Sequence, residues 1–107
     1  MTQEEILQYN KRCALFLGMN NDAFLLAKQI EKNTGLCHLR FHSDWNWIME
    51  VVEAIEKIFH IQGVEINGKW CCIKTNTFHE YRGVNKKEAV VEAINQFLIW
   101  YEQNKTI

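Results

Sequence analysis

Proline is absent from the 107 residues, and glycine occurs only five times. The missing proline carries no functional reading of its own. No apolar run approaches the roughly 20 residues that a bilayer span requires, so membrane insertion is not expected. Charge of one sign is scarce: 12 Lys and Arg stand against 13 Asp and Glu, a net charge of −1. Such a chain has no global pull toward nucleic acid or a membrane surface, so an anionic partner must be met by a local patch. Common enzyme signatures are missing as well. There is no glycine-rich phosphate loop, no G-x-S-x-G elbow and no carboxylate pair flanked by pocket-forming loops. No catalytic residue and no cofactor is therefore expected. There is also no repeat, linker or low-complexity stretch, and the acidic opening Met1 to Glu5 is unlike a secretory signal. The expectation is one cytoplasmic domain, residues 1–107.

What is present suits a folded chain, with 48% apolar and 12% aromatic residues. Four cysteines, Cys13, Cys37, Cys71 and Cys72, could suggest two disulfides. Cys71 and Cys72 are adjacent in a predicted strand, so their side chains point to opposite faces and serve one framework poorly. Free thiols in a reducing compartment are the better reading. Cys37 and His38 with His42, or Cys71 and Cys72 with His79, resemble zinc ligands only loosely. A single His38-x₃-His42 spacing is the one partial match to a knuckle, and no metal site is expected. Ser43 and Asp44 beside His42 look like a nucleophile, carboxylate and base. Adjacent residues cannot converge as a triad, and a helix cap accounts for both.

Local patterning lays out the elements. Thr2-x-x-Glu5 is a capping box that opens a helix with Ile6, Tyr9, Cys13, Phe16 and Leu17 on one side, ended by Gly18. Asn20-Asn21-Asp22 predicts a second helix carrying Phe24, Leu25, Ala27 and Ile30, so residues 1–35 read as a helical pair. Leu36 to Phe41 reads as a brief extended segment. Ser43 is the predicted N-cap of a central helix whose apolar face is Trp45, Ile48, Met49, Val52, Ile55 and Phe59, with Glu50, Glu53 and Glu56 opposite. That helix is the expected centre of the core. Asn67-Gly68 predicts a type I′ hairpin with Ile66 opposite Lys69 and Val64 opposite Cys71. Val64, Ile66, Cys71 and Ile73 then share the buried side, and Glu65, Trp70, Cys72 and Lys74 the other. A third strand over Phe78 to Arg82 follows the turn Thr75-Asn76-Thr77. Asn85-x-x-Glu88 resembles a second capping box, and Val90, Ala93, Ile94, Phe97, Leu98 and Tyr101 form the last helix's stripe. The expected fold is α+β: N-terminal helices, then an α-β-β-β-α unit over 36–107 with a small three-stranded antiparallel sheet.

One stretch departs from the neutral balance. Lys69, Lys74, Arg82, Lys86 and Lys87 stand against Glu80 alone, with Trp70, Phe78 and Tyr81 interleaved. Lys86 and Lys87 open a helix, where the dipole disfavours cations. Either an anionic partner retains them there, or this is a solvated face with its aromatics turned inward. The candidate partner-binding residues are Lys69, Trp70, Lys74, Tyr81, Arg82, Lys86 and Lys87.

Two resemblances attach to these residues. From Ser43 onward, over 43–104, the order α-β-β-β-α ending in Lys86-Lys87-Glu88-Ala89-x₃-Ala93 resembles a double-stranded-RNA-binding domain. That likeness implies that Lys86 and Lys87 meet phosphates across a major groove. Two departures stand beside it: the Asn67-Gly68 loop is too short to reach a second minor groove, and the helix exposes three glutamates. The second likeness rests on His42-Ser43-Asp44-Trp45-Asn46-Trp47 opening a helix, and on Lys87-Glu88-Ala89-Val90 to Phe97-Leu98-Ile99-Trp100-Tyr101. Both are similar to segments of small uncharacterised phage and prophage proteins of Bacteroidota-type bacteria. It implies a non-enzymatic protein in the host bacterial cytoplasm that inhibits a defence complex. The expected partner is an RNA-guided CRISPR effector or its guide RNA, most narrowly an RNA-targeting effector. Two alternatives are a binder of structured RNA and a homodimeric phage accessory protein with Trp47 and Trp100 exposed at its interface.

Overall fold

The computed structural model describes residues 2–18, 29, 32, 39–58, 63–74 and 78–104, excluding the side chains at 58, 78 and 104. Almost all of the expected second helix, together with Cys37, His38, Phe59 and the turn at 75–77, lies outside the described residues. The described elements are α1 (Gln3–Phe16), α2 (Trp45–Ile58), β1 (Gly63–Asn67), β2 (Trp70–Lys74), β3 (Phe78–Arg82) and α3 (Lys86–Asn104). The strands form one antiparallel sheet in the order β1-β2-β3. The fold is α+β, as the periodicities predict.

The predicted capping box is complete at the start of α1 and half formed at the start of α3. Glu5 N–H donates to Thr2 Oγ1 and Thr2 N–H to Glu5 Oε1, each at 3.2 Å, so two orphan donors satisfy each other. At α3, Glu88 N–H donates to Asn85 Oδ1 at 2.8 Å, but the Glu88 carboxylate reaches Val84 N–H rather than that of Asn85. The start of α2 differs from expectation by one residue. Asp44, not Ser43, is the cap: its Oδ1 accepts Asn46 N–H and its carbonyl accepts Ile48 N–H, both at 2.9 Å. Ser43 belongs to a preceding turn, its N–H bonded to the Arg40 carbonyl. Carboxylate at the cap also meets the positive end of the dipole, which favours Asp over Ser at that position.

The hairpin is closed one residue later than the Asn-Gly signal implies. Asn67 pairs with Trp70, leaving Gly68-Lys69 as the two-residue loop. Gly68 has φ of +57° and no described non-glycine residue has a positive φ. This is the type II′ pattern, which asks for positive φ at the first central residue alone, where type I′ would also force it on Asn67. Ile66 therefore meets Cys71, and Val64 meets Ile73. Each partner moves by two positions, an even number, so the assignment of side chains to faces is unchanged.

Helix α3, rather than α2, occupies the centre. It packs on all three strands and against both other helices. Val90, Ala93, Ile94 and Phe97 have no exposed surface. Burying one side chain the size of Phe97 contributes about 2–3 kcal/mol relative to leaving it in water. Helix α2 presents Ile48, Val51, Val52 and Ile55 to the core and leaves Trp45 and Met49 over a third exposed. Its buried face is thus rotated toward Val51, while Glu50, Glu53 and Glu56 are exposed as expected.

Helix α1 packs on α3 through Tyr9, Cys13 and Ala14, with Phe16 set edge-on against Phe97 and Tyr101 at 6.1 and 5.4 Å. Asn10 is fully buried on the same helix. Its Oδ1 accepts Phe41 N–H at 2.8 Å and its Nδ2 donates to the Ile6 carbonyl at 2.9 Å. The Tyr9 hydroxyl, in contrast, is buried with no well-formed hydrogen bond. Burial holds its pKa well above the ordinary tyrosine value, with the nearby Cys13 thiol adding to the effect.

Two stability measurements follow. A Cβ added at Gly83 would lie 2.7 Å from Ala89 N and 3.1 Å from the Asn85 carbonyl. Both are backbone atoms that cannot step aside, so Gly83→Ala is expected to cost about 1–3 kcal/mol. It should lower the urea midpoint with little change in m. Tyr9→Phe removes an unsatisfied buried hydroxyl and should leave stability equal or up to about 1 kcal/mol higher, whereas Asn10→Ala orphans Phe41 N–H and should cost about 1–3 kcal/mol. The same urea titration checks this opposite pair.

Candidate functional site

The register of the sheet sorts the seven candidate residues. Trp70 lies opposite Arg82, and these two side chains and that of Lys74 are on the face away from α3. Tyr81 lies opposite Cys71 on the inner face and is half-buried against the core. Trp70 and Tyr81 therefore cannot anchor one partner on one face. Lys74 sits at the far end of β2 from Trp70, about 13 Å away at the usual rise per strand residue. It is paired with Glu65, and that hydrogen bond raises its pKa above the ordinary lysine value.

The other five gather at one end of the molecule. Gly83 N–H donates to the Lys69 carbonyl at 2.9 Å, so the hairpin loop is tied to the segment leading from β3 into α3. Lys69, Arg82 and Lys86 are exposed there, beside half-buried Trp70 and Val84, which is 71% exposed. Lys87 is half-buried, its Nζ 5.8 Å from the centre of the Trp45 ring. That contact turns it toward α2 and gives the cation a favourable seat on an aromatic face. The Trp70 indole N–H reaches Glu80 Oε2 at 3.3 Å, and this orients the ring. The assembled feature is a cationic end with an aromatic and an aliphatic side chain at its middle, next to the N-terminus of α3.

The thiols offer little chemistry. Cys71 is buried on the inner face and Cys72 on the outer, on opposite sides of β2 as predicted. Burial pushes the pKa of Cys13 and of Cys71 up to about 12, and it raises that of Cys72 as well. All three are protonated at neutral pH and poorly nucleophilic. His79 faces inward, 5.6 Å from the Phe97 ring and 5.0 Å from that of Trp100. Among the described residues no three His, Cys, Asp or Glu side chains converge as metal ligands would. Nor is any described helix long and apolar enough to cross a membrane.

Trp47 and Trp100, expected at an exposed interface, are half-buried. Trp47 stands edge-on to Phe41 at 4.9 Å, and Trp100 packs on His79 and Phe97. Both are packed against the hydrophobic core. Among the described residues the exposed large apolar ones are instead Leu15, Trp45, Met49, Val84 and Ile99.

Two concavities have no counterpart in the sequence reading. A groove of about 520 Å³ runs between α1 and the end of α3, lined by Lys11, Arg12, Leu15 and Tyr101 among others. Arg12 is held there by Asn95 Oδ1 at 3.1 Å. A smaller cleft of about 240 Å³ lies where α1, the turn at 41–43 and the start of α3 meet, with His42, Lys87, Glu88 and Glu92 on its wall. Burial raises the Glu92 pKa above the ordinary carboxylate value. Asn10 was the available signal for this region, because an amide on an apolar helical face must find partners to be buried. Comparison with protein-family models, with curated proteins and with solved structures finds no match to this chain.

Burial lowers the His79 pKa below its ordinary value near 6.5. The unfolded chain then binds more protons than the folded one in mild acid, so folding stability rises with pH there. The His79 contribution should be complete above about pH 6.5 and be lost as the pH falls through that value toward the lowered one. Urea midpoints between pH 5 and 8 should show this slope, and His79→Gln should reduce it.

Proposed function

We propose that this chain is a non-enzymatic binding protein whose cationic end occupies an anionic surface of a bacterial nucleoprotein. The observation that carries the reading is the hydrogen bond from Gly83 N–H to the Lys69 carbonyl. Through it the exposed Lys69, Arg82 and Lys86 share one end of the molecule with Trp70 and Val84. Arginine and tryptophan are the residue types on which interfaces most often concentrate their binding energy. The raised thiol pKa values support binding over nucleophilic catalysis. The resemblance to phage and prophage proteins carries the reading one step further. In that reading the target is a bacterial defence complex in the host cytoplasm, an RNA-guided CRISPR effector, and occupation inhibits it. An RNA-targeting effector is its narrowest form.

A second reading, a binder of structured RNA, is favoured by the order α2-β1-β2-β3-α3 with Lys86 and Lys87 at the start of the last helix. The two-residue Gly68-Lys69 loop limits it, because a loop of that length does not reach a second groove of a duplex.

A pull-down of the tagged protein from its bacterial host, with and without RNase, separates these readings. A nucleoprotein that survives RNase supports the inhibitor, and RNA recovered alone supports the second reading. Recovery of this chain by itself would overturn both in favour of self-association. With a partner in hand, Lys69→Glu, Arg82→Glu and Lys86→Glu should each weaken binding about tenfold and reduce the slope of log K against log salt by about one. Lys74→Glu, at the far end of β2, should change neither. Equal effects at all four positions would sink the cationic-end assignment.

A further inference from the structure

The buried amide of Asn10 meets three partners, and together they dictate the protonation state of a histidine. Its Oδ1 accepts Phe41 N–H at 2.8 Å, while Nδ2 donates to the Ile6 carbonyl at 2.9 Å and lies 2.9 Å from His42 Nδ1. Rotating the amide by half a turn would set Oδ1 against the Ile6 carbonyl and NH₂ against Phe41 N–H. Both contacts would be repulsive, so the orientation is fixed from two sides independently of the histidine. The NH₂ group then faces Nδ1, which must be an acceptor, and the hydrogen of the neutral ring is on Nε2. A second proton has only Nδ1 to go to, where it would confront an N–H donor inside a partly buried contact.

We propose that the Asn10–His42 contact is an acid-sensitive latch: a proton on His42 Nδ1 turns the ring off Asn10 and loosens the N-terminal half of α1, leaving it tied to the 41–43 turn by the Phe41 N–H bond to Asn10. The surroundings suit such a movement. The cleft of about 240 Å³ beside His42 gives the ring room to turn. Glu88 and Glu92 of α3 line that cleft and attract an imidazolium, and Lys87 opposes it; from α1, Ile6 lines the cleft and the Glu5 carboxylate is near enough to act on Glu92. Asp44, two residues on, is engaged with Asn46 N–H. The Tyr9 hydroxyl is buried without a well-formed hydrogen bond, so it gains water when this half of α1 lifts. The other half remains held by Phe16 on Phe97 and Tyr101 and by Arg12 on Asn95. The released element is therefore a flap on a fixed hinge, not an unfolded chain.

Two measurements on the intact protein decide it, and one variant sharpens them. Nitrogen-15 NMR of the imidazole at pH 7.5 should show a hydrogen on Nε2 and an unprotonated Nδ1. Hydrogen exchange, corrected for the intrinsic rate, should show amides 6–10 losing at least tenfold more protection than those of α3 between pH 7.5 and 5.5. Comparison with α3 separates the latch from His79, which acts on the core between sheet and α3. In His42→Asn the side-chain carbonyl takes the place of Nδ1 and does not titrate, so α1 should stay protected and the extra pH dependence should vanish. A hydrogen on Nδ1, or a ratio of α1 to α3 protection that does not change with pH, would overturn the proposal. So would an unaltered pH dependence in the variant. If the variant fails to fold, the two wild-type readings still decide.

Discussion

The constraint on which most of the molecule depends is the approach of backbone to backbone at Gly83. No side chain fits between this residue and the first turn of α3. That closeness lets the Gly83 N–H reach the Lys69 carbonyl while Asn85, two residues later, already caps the helix. The direction in which α3 leaves the sheet is thereby set within a few residues of β3. Because α3 is the element against which all the others pack, its direction positions α1 and α2 as well. The same short connection collects three exposed cations at one end. Core and candidate interface thus share one geometrical cause.

Helix α1 is attached by a different logic. Its apolar contacts with α3 would tolerate sliding, since dispersion and hydrophobic burial have little directional preference. Asn10 removes that freedom, because its three partners lie at fixed points on α1 itself and on the 41–43 turn. A buried polar group satisfied on every side contributes specificity more than net stability. The Tyr9 hydroxyl one residue earlier is the converse: a buried group lacking a well-formed hydrogen bond, retained in the contact that Asn10 organises. Attachment by one amide network beside an unsatisfied hydroxyl makes α1 the element most sensitive to its polar surroundings.

Much of this fold was legible before any coordinates. The three strands fall where alternation and turn residues place them, and the faces of β1 and β2 are as predicted, since a two-position change in pairing preserves the pleat. The capping box at Thr2 and the side-chain cap at Asn85 mark two helix starts because they are local chemistry within four residues. Three of the misreadings concern which of two nearby options wins a contest fought elsewhere. Asp44 replaces Ser43 as cap, Gly68-Lys69 replaces Asn67-Gly68 as loop, and Val51 replaces Met49 in the buried face of α2. The candidate site was legible only as a composition. A run of cations with interleaved aromatics says nothing about Tyr81 facing inward, Lys74 pairing with Glu65, or Lys87 leaning on Trp45.

The amino-acid sequence by itself determined the kinds of element, their order and the α+β class. Those follow from hydrogen-bonding patterns and apolar periodicities that repeat within a few residues. It also determined that Cys71 and Cys72 face apart, because alternation along a strand admits no other arrangement. Only the tertiary structure decided that α3 rather than α2 is the centre and that Asn10 is buried. The gathering of Lys69, Arg82 and Lys86 at one end likewise depends on it. The reason is the same in each case. These outcomes rest on contacts between residues distant in the chain, whose partners exist only once helix and sheet have packed.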